Sequence, residues 1–271
     1  MGLFFNFDKA GPGVDKDAPK KKGIFLYTEL FFRKLLPLVK VNMLYFLTSL
    51  PVMAVYNIII INVLASVLPQ EVKGNAWQLS LILTAIITIL WGTGPVTSGY
   101  IYILRNFARE EHAWIASDFF EKSRETFKLG ITVLLCDILV LILEIYAVNV
   151  YVGLIRQGYT FAQFALLASV ILFAIYTFMH YYIYELSVTF ENGIRKTFKN
   201  AFVMGFAMLP ANLFLTIFVI VVTFFAFAVL PPSLIIALML FIWICAMRFP
   251  IDFYVARLIK RRFINNREDT E

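Results

Sequence analysis

The chain has 271 residues, of which 61% are hydrophobic and 17% aromatic, with only 15% charged and a net charge of +6. A water-soluble domain is about 45–50% apolar and about 25% charged, so this composition excludes a soluble globular protein and implies an integral membrane protein. Membrane spans of about 20 residues each take up most of the length and leave no room for a separate soluble domain.

Residues 1–23 are rich in Gly, Pro, Lys and Asp and read as a polar tail. They hold no apolar run suited to a secretory signal, so this segment is expected to stay on the chain. Over 24–40, Phe25, Leu26, Leu30, Phe31 and Leu35 recur at helical spacing against Glu29, Arg33 and Lys34. That pattern predicts an interfacial amphipathic helix with its apolar face in lipid and Arg33 and Lys34 at the headgroups.

Apolar stretches follow at about 41–68, 79–104, 129–153, 161–186, 202–230 and 233–255, each long enough to cross a bilayer as a helix. The expected fold is all-α: six transmembrane helices over 41–258 and a polar tail over 259–271. All but Lys73 and Arg156 of the 24 basic residues fall before the first stretch, in alternate loops, or in and after the last stretch. Positive charge is retained in the cytoplasm, so both termini are expected inside.

In the second stretch, Gly92-Thr93-Gly94-Pro95 predicts a kink or break, because Pro95 lacks a backbone donor and glycine lowers the cost of distortion. Broken helices at the midplane mark substrate sites in many transporters. The loop after it mixes charge with aromatic side chains. Arg105, Arg109, Glu110, His112, Trp114 and Asp118 suit either a helix lying on the membrane or a docking surface for a partner, to which Arg195 and Lys199 of the next loop on that side would add. A similar segment, Arg124 to Lys128, recurs as Arg195 to Lys199, as parallel repeated hairpins would.

Ionisable groups at membrane depth cost at least about 2.5–3.5 kcal/mol each on insertion scales, so each demands a reason. Asp137 and Glu144 lie seven residues apart, offset by about 20° around a helix, and so share a face. Such a pair suits a proton or cation path, or the binding of a hydroxyl-rich ligand. On the fourth stretch Ser169, Tyr176, His180 and Tyr184 make a polar stripe; on the first, Asn42, Tyr45 and Ser49 make a weaker one. Arg248 and Asp252 have the spacing of an intrahelical ion pair. Arg248 also lies at the depth of Asp137, which makes Asp137–Arg248 an alternative pairing.

Cys136 and Cys245 sit inside apolar runs, and the two histidines are far apart in sequence. No CxxC, HExxH, GxGxxG or Walker-type loop occurs. No metal, cofactor or enzymatic activity is expected, and the basic residues hug the membrane boundary, which argues against a nucleic-acid partner.

The opening residues 1–14, Phe31-Phe-Arg-Lys34, Asn42-Met-Leu-Tyr-Phe46, Leu50-Pro51, Gly94-Pro95, Gly99-Tyr100, residues 104–110, His112-Ala-Trp114, Asp118-Phe119-Phe120, Asn192-Gly193 and Lys199 to Phe202 together resemble the YesL family of bacterial multi-pass membrane proteins. The resemblance covers most of the chain and weakens in the last two spans. It implies a bacterial plasma-membrane protein of unknown function, whose relatives' genes often accompany carbohydrate ABC importers and glycoside hydrolases. The expectation that follows is a non-enzymatic accessory or regulatory component of carbohydrate ABC import, with the lipid bilayer, importer subunits or a second copy as partners. The alternative is a small secondary transporter or channel using the intramembrane carboxylates.

Overall fold

The computed structural model describes residues 22–67 and 73–265, and the described residues form helices joined by short turns, without strands. In chain order the helices are α1 (Ile24–Arg33), α2 (Leu35–Val67), α3 (Ala76–Leu90), α4 (Pro95–Ala108), α5 (Ile115–Glu125), α6 (Phe127–Arg156) and α7 (Phe161–Thr189). After them come α8 (Ile194–Ala207), α9 (Leu209–Val229), α10 (Pro232–Leu238) and α11 (Ile244–Ile259), the last two joined by a π-helical turn at Met239–Trp243. Five helical segments, 35–65, 127–156, 161–189, 209–229 and 232–262, are long and apolar enough to cross a membrane. A sixth crossing is made if α3 and α4, bent by 63° at their junction, count as one span.

The outward faces of α6, α7 and α9 carry Leu135, Leu139, Leu143, Phe164, Leu172, Phe214 and Phe225, each more than half exposed. Water would not tolerate so continuous an apolar surface, whereas lipid solvates it. Lipid is as apolar as leucine, so the bundle gains little from burying further aliphatic groups, and packing and interhelical polar contacts must hold it together. The interior reflects this: Asn42, Ser49, Thr93, Thr97, Asp137, His180, Asn212, Arg248 and Asp252 are all buried. α11 is central and packs against α2, α3, α4, α7 and α9.

Asn42 shows how one polar side chain specifies such a bundle. Its amide nitrogen donates to the carbonyls of Met239 and Leu240 at 2.7 and 2.8 Å, and its oxygen accepts from the Cys245 N–H at 2.8 Å. A π turn interrupts the regular ladder at this point, and in lipid every backbone polar group needs a partner. Gln78 plays a similar part at the end of α9, donating to the carbonyls of Phe227, Ala228 and Leu230.

Several element boundaries differ from expectation. The amphipathic helix ends at Arg33, and residues 35–40 already belong to α2. Its apolar side is not wholly in lipid either: Leu26 and Leu30 are buried, and Tyr27 and Phe31 pack on Phe249 of α11, whereas Ile24, Phe25 and Phe32 point outward. The fifth stretch divides at Met208, where Pro210 in the first turn of α9 has no N–H to continue the helix before it. α8 runs back along α7, so closely that a Cβ on Gly205 would stand about 3.6 Å from the backbone at Phe178–Met179. The final helix continues past residue 258 to Asn265. The two similar basic segments adopt different structures: 124–128 straddles the α5–α6 junction, whereas 195–199 lies within the first turns of α8.

Candidate functional site

The break at residues 91–94 is the centre of the molecule's polar interior. Gly92 and Gly94 have φ of +89° and +78°, a region that side chains other than glycine's rarely allow. Pro95 then opens α4 at a position where a missing N–H costs nothing. α6 closes on this point so tightly that a Cβ on Gly130 would meet the Cα of Pro95 at 2.4 Å.

A helix that ends inside a membrane leaves its last carbonyls without intrahelical partners, and here they are all provided for. Ile87 and Thr88 accept from the N–H groups of Trp91 and Gly92. Ile89 and Leu90 both accept from Nη1 of Arg248 at 2.8 Å. The Trp91 carbonyl lies 3.0 Å from Nδ1 of His180. On the other side of the break, the Thr93 N–H donates to Oγ1 of Thr97 at 2.7 Å, and Ser49, Tyr45, Thr93 and Thr97 join in one hydroxyl cluster. The guanidinium therefore caps the C-terminus of α3, where the helix dipole favours a cation.

The same arginine is held by Asp252, whose Oδ1 accepts from Nε at 3.1 Å, and its Nη2 reaches the His180 carbonyl at 3.4 Å. The expected i, i+4 pair is thus formed. Asp137 is not its alternative partner: that carboxylate accepts from the Tyr176 hydroxyl at 2.6 Å and has Oδ1 3.0 Å from Nε2 of His180. His180 links the two acidic centres, with its ring on Asp137 and its backbone on Arg248. The ring also stacks on Trp91, centroids 5.4 Å apart, and the Trp91 indole donates to Thr177 at 3.0 Å. Sequence reading passed over Trp91, Thr177 and Tyr56, which look like ordinary apolar or aromatic filling. The one available signal was that Trp91 directly precedes the glycine run.

Asp137 and Glu144 share a helix but not an environment. Asp137 is fully buried, whereas Glu144 is half-buried and accepts from Ser169 at 3.3 Å. Among the described residues, Glu144 is the one acidic residue lining a cleft of about 580 Å³ formed by Leu83, Leu90, Trp91, Leu141 and Phe173 and their neighbours. Trp91 and Thr177 belong both to this cleft and to the polar centre.

At the end where the basic residues gather, three segments meet. Arg33 pairs with Glu110 at 3.1 Å, and Arg257 and Lys260 approach Glu110 and Glu111 at 3.8 Å. Arg105 and Arg109 are not presented outward as a docking role would require. Arg109 forms a buried pair with Glu185 at 3.1 Å, and Arg105 donates to the Val188 carbonyl and to Thr189. Asp118 has a local role, accepting the Trp114 N–H at 2.8 Å and so fixing the start of α5. Trp114 is 71% exposed, with His112 against its ring at 4.8 Å, and Phe120 is also exposed. Arg195 and Lys199 lie in the first turns of α8.

No protein-family model, curated protein or solved structure matches this chain. Among the described residues no group of three or more His, Cys, Asp or Glu side chains could hold a metal ion.

Proposed function

We propose that the chain is a non-enzymatic accessory or regulatory component of a membrane complex, with its basic face, and hence both termini, in the cytoplasm of a bacterium. The observation that carries this reading is the presentation of Trp114. Glu111 donates its N–H to the Asn106 carbonyl at 2.7 Å, the Asn106 side chain reaches the His112 carbonyl, and Asp118 caps Trp114. The loop is therefore held from within while its largest aromatic side chain is left uncovered, as in the anchor residues of protein interfaces. The resemblance to the YesL family makes the subunits of a carbohydrate ABC importer the expected partner.

The test is co-purification from native membranes in mild detergent. Importer subunits retained by the unaltered protein, and lost with Trp114→Ala while the bundle stays folded, support the reading. Retention of every partner by Trp114→Ala and Phe120→Ala together refutes it.

A second reading, a small secondary transporter, is favoured by the broken span with buried Asp137, His180 and Arg248 beside it. It expects flux in reconstituted vesicles that Asp137→Asn abolishes without lowering the yield of folded protein.

A further inference from the structure

His180 supplies an inference that does not depend on either functional reading. Its Nδ1 lies 3.0 Å from the Trp91 carbonyl, and both groups are buried. A carbonyl only accepts, so Nδ1 carries a proton. In a neutral imidazole this leaves Nε2 with a bare lone pair. That same Nε2 is 3.0 Å from Oδ1 of Asp137, and neither side chain has any exposed surface. Oδ1 already accepts from Tyr176, so the carboxylate is oriented and cannot turn this oxygen away without losing that bond. Nε2 is buried and makes no hydrogen bond, so an unprotonated ring nitrogen and a carboxylate oxygen this close in a medium of low dielectric repel with nothing to offset it. A proton on either group removes the repulsion, whether the pair is written as imidazolium and carboxylate or as imidazole and carboxylic acid.

We propose that Asp137 and His180 form an intramembrane proton-binding site, which holds one proton more than an ionised aspartate and a neutral histidine and stands against the helix break at residues 91–94. The groups around it fit this assignment. From α7, Tyr176 donates to Asp137, and the buried hydroxyl of Tyr184 stands beside Thr97. From α2, Tyr56 has a buried hydroxyl without a partner and lies within electrostatic reach of Asp137, as does Tyr45 of Tyr184. α6 adds the thiol of Cys136, next to Asp137 in sequence. α11 adds Arg248, whose charge is answered by Asp252. The second oxygen of Asp137 is likewise buried and unbonded. The unpartnered oxygens of Asp137 and Tyr56 are further acceptors close to this proton. Its loss would drive Asp137 and His180 apart, and through the Trp91 carbonyl this strains the break itself.

The chain has two histidines, so His112→Gln, at an exposed position, leaves His180 as the only one. In that protein, reconstituted in lipid nanodiscs, nitrogen-15 spectra of the imidazole report the protonation of each ring nitrogen. The infrared carboxylic-acid stretch reports that of Asp137. The expected result near neutral pH is a protonated Nδ1 with either a protonated Nε2 or a carboxylic-acid band that Asp137→Asn removes. A bare Nε2 beside an ionised Asp137, or a bare Nδ1, would overturn the proposal. Should Asp137→Asn fail to fold, Asp137→Glu keeps the carboxyl and must shift that band instead. The nitrogen spectra need neither variant.

Discussion

Replacing Arg248 with methionine is the perturbation the interior should tolerate least. The side chain would keep its apolar stem but lose four guanidinium contacts: the two 2.8 Å bonds to Ile89 and Leu90, the 3.1 Å pair with Asp252 and the longer reach to His180. Asp252 is fully buried and its other oxygen has no partner, so its charge would be left uncompensated. Removing one partner of a buried ion pair costs about 3–5 kcal/mol. The two freed carbonyls add about 0.6 kcal/mol each on the average measured for hydrogen bonds in a helical membrane protein. Arg248→Met is therefore expected to cost about 4–6 kcal/mol, a shift of about three to four decades in the folding equilibrium. The double variant Arg248→Met/Asp252→Leu removes the stranded charge and should cost only about 1–2 kcal/mol, the share of the two carbonyls. Both can be read from sodium dodecyl sulfate titrations of the protein in mixed micelles. A double variant as unstable as the single one would refute the reasoning, because the stranded Asp252 charge would then not be the source of the loss.

Gly130→Ala places a methyl group where the Cα of Pro95 stands 2.4 Å away, and thermal denaturation in detergent should show a loss of about 1–3 kcal/mol from overpacking. Gly94→Ala forces a φ of +78° on a residue with a Cβ and should cost about 1–3 kcal/mol; Pro95→Ala should cost less, because the break is held by the glycines and by Arg248. Asn42→Leu removes the three hydrogen bonds to the Met239 and Leu240 carbonyls and the Cys245 N–H, an expected loss of about 2 kcal/mol by the same titration. Arg33→Ala, which removes an exposed pair with Glu110, should change stability by less than about 1 kcal/mol, and the change should vanish in high salt.

Much of this architecture can be read along the chain, because a bilayer acts on local composition. A helix must satisfy its own backbone in lipid, so each long apolar run reads as a crossing, and Gly92 to Pro95 reads as an interruption wherever the rest of the bundle lies. The Arg248–Asp252 pair is legible for the same reason, since it depends only on helical periodicity. Spacing alone put Asp137 and Glu144 together, yet the packing of α7 and of the break against α6 buried one at the centre and left the other at the edge of a cleft. The docking residues divided in the same way: Arg105 and Arg109 look like surface charges in a loop, but the end of α7 brings Glu185 and Thr189 to them and takes them inside. Asn42 meets the π turn, and Arg248 the end of α3, across nearly 200 and 160 positions of sequence respectively. Composition and periodicity therefore determined which segments are long and apolar enough to cross a membrane, since the solvent tests each one separately. Which polar groups answer one another was decided only by tertiary structure, because a hydrogen bond in the interior depends on where two distant helices stop and meet.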